Sequence, residues 1–375
     1  MKIFLKYIKK YFLEIFEYIY IKINRYFNRQ FIPDIKKSIN IETTSICNLG
    51  CKFCGYHKRD LAMHPLKTMS KENFIHLVNQ SANLGYRNIG LSPTTGDVFM
   101  DKSFFEKINY IDEHGKIEGY YFYTNFIPIK NTDIEKLFNL KKLDFLGISI
   151  YGHDLKTFVA FADSSKNAYD VLVKNLKELN FLISKKNFTF KILIGHRTEK
   201  NFDINSINQK SELVFEIKKL IKNKNVDYEY TAEYNNWGGI IGDNDVKNLD
   251  INFNKKPFKK EGSCSLIYSR MIIGSNGELN ACACRDANYT LSIGNVFKDD
   301  LKKIISSDNK KYLELIDRQE KNDFPDVCKS CDFYSSIYSY KHKTGYARDK
   351  GKFINLKKYK EILKARENEG KLPKI

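Results

Sequence analysis

Three cysteines fall within eight residues, Cys47-Asn-Leu-Gly-Cys51-Lys-Phe-Cys54, and no other stretch constrains the chain as much. Thiols this close, in a chain without secretory features, act more readily as ligands than as halves of a disulfide framework. The spacing C-x3-C-x2-C puts three thiolates on one short loop. They can bind three irons of a cubane [4Fe–4S] cluster and leave the fourth iron open. A structural zinc site needs four ligands, and His57 or His64 would supply the fourth, so zinc stays open on spacing alone.

The loop follows the first of six expected strands, at 38–44, 87–92, 118–124, 143–150, 188–194 and 226–233, rich in Ile, Phe, Tyr and Thr. Helical periodicity falls between them, near 70–84, 102–114, 131–141, 165–183 and 206–223, with Ser70 and Asn131 as expected N-caps. Alternating β–α units predict an α/β fold with a parallel sheet and right-handed crossovers. Six units suit a partial (β/α)6, TIM-like barrel, with its chemistry at the carboxyl ends of the strands. Hydrophobic residues make up 42% of the 375, enough to fill such a core. No uncharged apolar run reaches the length of about 18 residues that a spanning helix needs. No secretory leader is evident either, so the expected location is cytoplasmic.

A second group of thiols comes late: Cys264, Cys282, Cys284, Cys328 and Cys331. Residues 269–273 and 278–281 read as a hairpin around Ser275-Asn276-Gly277. One thiol stands at each base of it, and the C-x2-C pair at 328–331 closes the set. Four thiolates, Cys264, Cys282, Cys328 and Cys331, can fully ligate one [4Fe–4S] cluster or one zinc ion. Cys284 is spare on this count: it replaces Cys282, sits beside the cluster, or is a small buried thiol. Arg285 and Asp286 either tune that site, reach the substrate or form a surface ion pair. The expected divisions are an N-terminal helix at 1–34, a barrel at 35–240, a polar linker at 241–263, a small α+β cluster domain at 264–334 and a basic tail at 335–375.

The formal charge of +18 is uneven. Residues 1–30 hold five Lys and two Arg against two Glu, and residues 332–375 hold twelve basic against five acidic side chains. Residues 1–30 read as one amphipathic helix, with Phe4, Ile8, Phe12, Ile15, Ile19 and Ile23 along one face. Such a helix suits either a membrane surface, at the inner face of the membrane, or packing on the protein's own body or on a partner. Net charge and paired thiols also allow a zinc-stapled nucleic-acid-binding module, although no helix-turn-helix or RNA-recognition motif is visible. No specific nucleic-acid partner is expected.

The first cysteine triplet, with Phe53 before its third Cys and its place after strand one, resembles the radical S-adenosylmethionine (SAM) enzymes. The resemblance spans roughly residues 38–235. It implies a [4Fe–4S] cluster on Cys47, Cys51 and Cys54 with SAM on the open iron. The family's Gly-Gly-Glu-Pro-like segment reads Pro93-Thr94-Thr95-Gly96-Asp97 here, with Asp97 in place of Glu. Tyr123-Thr124-Asn125 resembles its Thr-Asn-Gly, with Phe126 replacing Gly. Ser149 resembles a SAM-contacting Ser, and Arg197 is suited to the SAM carboxylate. Phe53, Gly96, Asp97, Asn125, Ser149 and Arg197 are thus the implied SAM contacts, each with an ordinary structural role as the alternative. Trp237-Gly238 reads as a wall of the adenine or substrate site, or as core packing.

The late cysteines, the G-x4-C spacing from Gly277 to Cys282 and Ile293-Gly294-Asn295 resemble the auxiliary-cluster domains called SPASM. With no Cys after Cys331, the chain looks like the shortened twitch form with one auxiliary [4Fe–4S] cluster. The resemblance implies SAM cleavage to a 5′-deoxyadenosyl radical and hydrogen abstraction from a small-molecule substrate. The auxiliary cluster would accept an electron, and a flavodoxin or ferredoxin would donate one. The single-cluster form is similar to dehydrogenases of aminocyclitols and related sugars, which suggests a polyol, sugar-like or lipid-linked substrate. Peptide or protein modification is the alternative. His153, Asp154 and His196 are candidates for the general base.

Overall fold

The computed structural model describes residues 2–33, 38–206, 210–253, 259–340 and 353–369. The strands are β1 (Ile32–Pro33), β2 (Ser38–Ile41), β3 (Asn88–Gly90), β4 (Gly119–Thr124), β5 (Leu143–Tyr151), β6 (Lys191–Arg197), β7 (Val226–Thr231), β8 (Glu233–Tyr234), β9 (Asn252–Phe253), β10 (Ile272–Ile273), β11 (Glu278–Asn280), β12 (Ser292–Asn295) and β13 (Phe353–Ile354). The helices are α1 (Lys2–Tyr26), α2 (Lys71–Asn83), α3 (Phe104–Glu113), α4 (Leu155–Ala162), α5 (Lys166–Lys185), α6 (Glu212–Leu220), α7 (Asp243–Val246), α8 (Leu266–Ser269), α9 (Leu301–Ile304), α10 (Lys310–Glu320), α11 (Asp326–Ser330) and α12 (Leu356–Glu369).

Strands β2 to β7 lie side by side in sequence order, all parallel, with helices in the crossovers. This is the partial TIM-like arrangement, open rather than closed into a ring. Period-two burial along β5 hides Leu146, Ile148 and Ile150, and α5 covers that layer with Leu172, Leu176 and Leu179. Ser70 caps α2 by accepting Asn73 N–H at 3.2 Å. Asn131 does not cap a helix. It opens a 3-10 segment, Asn131–Asn139, and its side-chain amide reaches Asn175 Oδ1 at 3.4 Å instead.

Helix α4 carries a signal that the expected elements passed over. Asp154 and Thr157 form a reciprocal capping box. The expected strand at 269–273 shortens to β10, because Leu266, Ile267 and Tyr268 are buried in succession on α8. The segment 241–253, expected as linker, holds α7 and β9, and β9 pairs with β8. Its few apolar residues, Ile241, Val246 and Ile251, are buried and anchor it.

The C-terminal hairpin does not stand apart from the barrel sheet. β10 pairs in parallel with β2, Ile272 opposite Asn40, so one nine-stranded sheet runs β12-β11-β10-β2-β3-β4-β5-β6-β7. Gly277, at φ +87°, makes the turn between β10 and β11. Part of the expected tail is core: Tyr359 and Leu363 of α12 are buried, and β13 pairs with β1. No helix among the described residues is long and apolar enough to cross a membrane.

Candidate functional site

The first cysteine loop is held at the carboxyl end of β2 by contacts from several crossovers. Gly50 and Lys52 donate their amides to the Ala162 and Phe161 carbonyls at the end of α4, at 3.0 and 3.2 Å. Tyr56 OH accepts Cys47 N–H at 3.0 Å and lies 3.2 Å from the Cys47 carbonyl. Asn125 Nδ2 donates to Asn48 Oδ1 at 2.7 Å, tying the loop to the end of β4. Gly96 packs on the loop's own entry: a Cβ there would stand 2.8 Å from the Thr44 carbonyl.

All three thiols are reduced, and burial pushes each of them up. Cys47 rises to about 12, with the Asp97 carboxylate adding to burial. The thiols also repel one another as thiolates, so they share one volume. Arg197, Arg59 and Arg285 oppose the rise at Cys54. A buried trio of soft donors ringed by guanidinium groups fits an anionic iron–sulfur cluster. His64 is not free to complete a zinc site, since its Nδ1 and Nε2 are engaged by the Ala287 carbonyl and Glu42 at 2.9 and 2.8 Å. Among the described residues no three His, Cys, Asp or Glu side chains are placed to hold a single metal ion.

The implied SAM contacts fall in different settings. Asp97 is buried with both carboxylate oxygens engaged, by Phe99 N–H, the Thr124 hydroxyl and Asn125 N–H at 2.6 to 3.0 Å. Burial raises its pKa to about 6. Phe53 is packed against Tyr234, Tyr151 and Phe161, with centroids 4.6 to 6.2 Å away. Ser149 on β5 stands opposite Gly195 on β6, and Tyr151 opposite Arg197. The next strand puts Glu229 opposite Gly195 and Thr231 opposite Arg197. Ser149, Arg197 and Glu229 therefore share one face of the sheet. The base candidates lie elsewhere. His196 faces the other way, buried, with Gly152 O at 2.7 Å and Tyr228 OH at 3.0 Å, and burial holds its pKa down to about 4. Asp154 caps α4, and His153 Nδ1 contacts Thr198 Oγ1 at 2.9 Å.

Arg59 was not singled out by sequence, where it is one basic residue among many. It is buried; Nη1 donates to the Thr95 carbonyl and hydroxyl, and the guanidinium lies 4.7 Å from the Tyr56 ring centroid. Its Nε and Nη2 have no partner among the described residues. Buried orphan donors beside the first thiols fit a carboxylate or other anionic group of a bound cofactor.

The second group gathers all five late thiols. Cys264 and Cys282 are buried, and Cys328 sits on α11. Burial pushes Cys264 up to about 12, with Cys331 and Cys284 adding to it. Cys282 is raised by burial, then by Cys284, Cys264 and Cys331. Gln319 Nε2 donates to Cys328 Sγ at 3.4 Å and Phe333 N–H to Cys331 Sγ at 3.3 Å, bonds that favour thiolates. Cys284 is close enough to Cys264 and Cys282 to raise both of them.

Arg285 and Asp286 are not a surface ion pair. Asp286 turns inward and accepts Thr290 and Leu291 N–H at 3.1 and 2.8 Å. Arg285 lies over the Phe333 and Trp237 rings, 4.0 and 5.5 Å from their centroids, within electrostatic reach of both Cys54 and Cys331. Trp237 adopts a left-handed backbone at φ +48° and faces Gly55 of the first loop. Asn236 N–H donates to Asp332 Oδ2 at 2.8 Å, which fixes the loop after β7 to the C-x2-C segment.

A family model described as the radical SAM superfamily matches residues 41–228, half of the chain. One described as an iron–sulfur cluster-binding domain, SPASM, matches residues 264–332. No curated protein matches. Among solved structures, Streptococcus suis SuiB bound to precursor peptide SuiA is 16% identical, with a TM-score of 0.51 over 83% of this chain and 75% of that one. SuiB bound to S-adenosylmethionine gives a TM-score of 0.50 at 16% identity, over 82% and 72%. BtrN in complex with AdoMet and 2-DOIA gives 0.49 at 17%, over 80% and 94%. At these identities the likeness is one of fold.

Proposed function

Because the chain belongs to the radical SAM superfamily and carries a SPASM domain, so that it is an enzyme using SAM and [4Fe–4S] clusters, we propose that it oxidises a hydroxyl group of a polyol or sugar-like small molecule. Membership sets aside the zinc-stapled nucleic-acid module. When bound, the cofactors supply reductive cleavage of SAM to methionine and a 5′-deoxyadenosyl radical that takes hydrogen from carbon, and an auxiliary electron acceptor.

Cys47, Cys51 and Cys54 hold the first cluster; Cys264, Cys282, Cys328 and Cys331 hold the second, with Cys284 beside it. Arg197 and Arg59 present guanidinium donors to the SAM carboxylate. Gly96, Asp97 and Asn125 keep the wall of the cofactor site in place through the Ile46 carbonyl, Thr124 and Asn48. Phe53 packs behind it, and Ser149 faces the bound molecules. Glu229 replaces the sequence candidates as the group that takes the alcohol proton. It shares the open sheet face with Ser149 and Arg197, whereas His196 is turned away and Asp154 is spent on a helix cap.

The observation that carries this reading is the juxtaposition of a polar, open strand face with a single auxiliary thiol set, Arg285 lying between the two cysteine groups. A two-electron oxidation needs an acceptor near the substrate. A flavodoxin or ferredoxin serves as the outside donor, and α1 makes a peripheral contact with a membrane. A peptide substrate is the second reading, favoured by β7 standing at the edge of the sheet among the described residues, where an extended strand can add. Polyols, sugars and peptides deuterated at the reacting carbon separate the two. Transfer of deuterium from a carbinol carbon into 5′-deoxyadenosine, with matching ketone, is expected. Transfer from peptide substrates alone overturns the proposal.

A further inference from the structure

Among the described side chains of helix α1, those buried against the body lie on one side. Ile21 and Asn24 are buried, and Asn24 Nδ2 donates to the Tyr338 carbonyl at 3.0 Å. Lys22 and Arg25 both pair with the buried Glu261, and Ser339 donates to Glu17. These contacts fix the roll of the helix. The opposite side leaves Phe16, Ile19, Ile23 and Phe27 exposed, with Phe16 at 66% and Phe27 at 58%. Steps of three, four and four residues make these a single stripe, about 16 Å long at 1.5 Å per residue. Among the described residues the helix packs on its own body by its other face, so that packing does not account for the stripe. A contiguous exposed apolar strip of this size marks an interaction surface.

A second feature lies at the end of that stripe. A cavity of about 560 Å³ opens directly after Phe27, lined by Asn28, Gln30 and three lysines of α12, Lys357, Lys360 and Lys364. The lysines follow an i, i+3, i+7 pattern and share one helix face. Lys360 pairs with Asp317, and Glu361, also in the lining, leans toward Lys358. Lys357 and Lys364 have no carboxylate partner among the described residues. The pocket therefore offers ammonium and amide donors to an anion, beside an apolar stripe.

We propose that this combination is a docking site for an anionic lipid bilayer: the stripe of α1 inserts among acyl chains, and a lipid phosphate seats in the lysine pocket. The inference rests on the peripheral-contact reading above and adds the headgroup site. Charge complementarity selects the occupant. The two chain ends that meet here are the basic parts of the sequence, so a second copy would bring like charges together, whereas an anionic lipid surface neutralises them. An α1 lying in the plane reaches the headgroup boundary along its whole exposed stripe.

The test uses the reconstituted holoenzyme and sedimentation with vesicles of phosphatidylcholine, alone or mixed equally with phosphatidylglycerol. Wild type is expected to sediment with the anionic vesicles only. Phe16→Ser with Ile19→Ser should stay in the supernatant. Lys357→Gln with Lys364→Gln should bind about tenfold more weakly. Iron content and 5′-deoxyadenosine formation, unchanged in all, confirm folding. A stripe variant that sediments like wild type overturns the membrane contact. A lysine variant that binds like wild type, while the stripe variant fails, overturns the headgroup pocket alone. Binding of inorganic phosphate that depends on the lysines, without vesicle binding, assigns the pocket to a free anion and overturns the lipid. Stripe-dependent dimerisation seen by light scattering, again without vesicle binding, overturns it in favour of a second copy.

Discussion

Glu42 Oε1 stands 2.8 Å from His64 Nε2, and neither side chain has any exposed surface. The same carboxylate receives Thr94 N–H at 3.1 Å, Ser275 N–H at 3.3 Å and Tyr289 OH at 3.3 Å. His64 stacks on Tyr289 with centroids 4.1 Å apart. Thr94 belongs to the segment after β3, whereas Ser275 and Tyr289 belong to the C-terminal unit. One buried carboxylate thus joins the barrel to the cluster domain. Truncating it strands several buried donors. Glu42→Ala is expected to lose about 3 kcal/mol of unfolding free energy, against a smaller loss for Glu42→Gln. Denaturant unfolding followed by circular dichroism checks the order.

The triple variant of Cys47, Cys51 and Cys54 to Ala should contain about half the iron of wild type and make no 5′-deoxyadenosine. Replacing Cys328 and Cys331 should remove the other half and spare SAM cleavage uncoupled from product. Iron and sulfide assays after anaerobic reconstitution, with product analysis, test both. Persistent SAM cleavage in the first variant removes the assignment of the loop.

Local signals made the strands and most crossover helices legible: the Tyr- and Phe-rich run of β4, the alternating Leu146, Ile148 and Ile150 of β5, the Ser70 cap, and apolar spacing in α5. The hairpin's place beside β2 was not legible. Its pairing rests on two short strands with no local mark of which edge they join. The cysteine groups were legible because ligand spacing is itself a local pattern. Arg59 and Glu42 were not, since their meaning comes from partners on distant loops. The base candidates at 153, 154 and 196 follow β5 or lie on β6; strand alternation puts His196 on the covered face and Glu229 on the open one, which only the register of paired strands reveals.

Burial holds the His196 pKa near 4, below its ordinary value of 6.5. The unfolded chain takes up that proton as pH falls through 6.5, and the folded protein resists until about 4. This contribution to stability is full above 6.5 and is lost toward 4. Between pH 7.5 and 5 wild type should lose about 2 kcal/mol that His196→Gln keeps. Urea unfolding of both at the two pH values measures it. The pH profile of turnover should not move with this substitution, because the imidazole faces Gly152 and Tyr228. A shifted profile would return His196 to the list of bases.

Arg285 acts on both cysteine groups, and its role can be read without substrate. Its guanidinium is held over Phe333 and Trp237 rather than by a carboxylate, so its positive charge is available to the thiolates on either side. A positive charge close to an iron–sulfur site stabilises the more negative, reduced form and raises the reduction potential. Arg285→Gln should therefore lower the auxiliary midpoint by on the order of 50 mV. Arg285→Lys keeps the charge but loses the flat stack and should fall between the two. A potentiometric titration followed by electron paramagnetic resonance gives the three midpoints. On the proposed role of the auxiliary cluster as electron acceptor, a lower midpoint makes it a harder acceptor for substrate electrons. Coupling of SAM cleavage to product should then fall in the order wild type, Lys, Gln, while iron content stays level. Equal midpoints in all three would leave Arg285 as packing against Trp237 and nothing more.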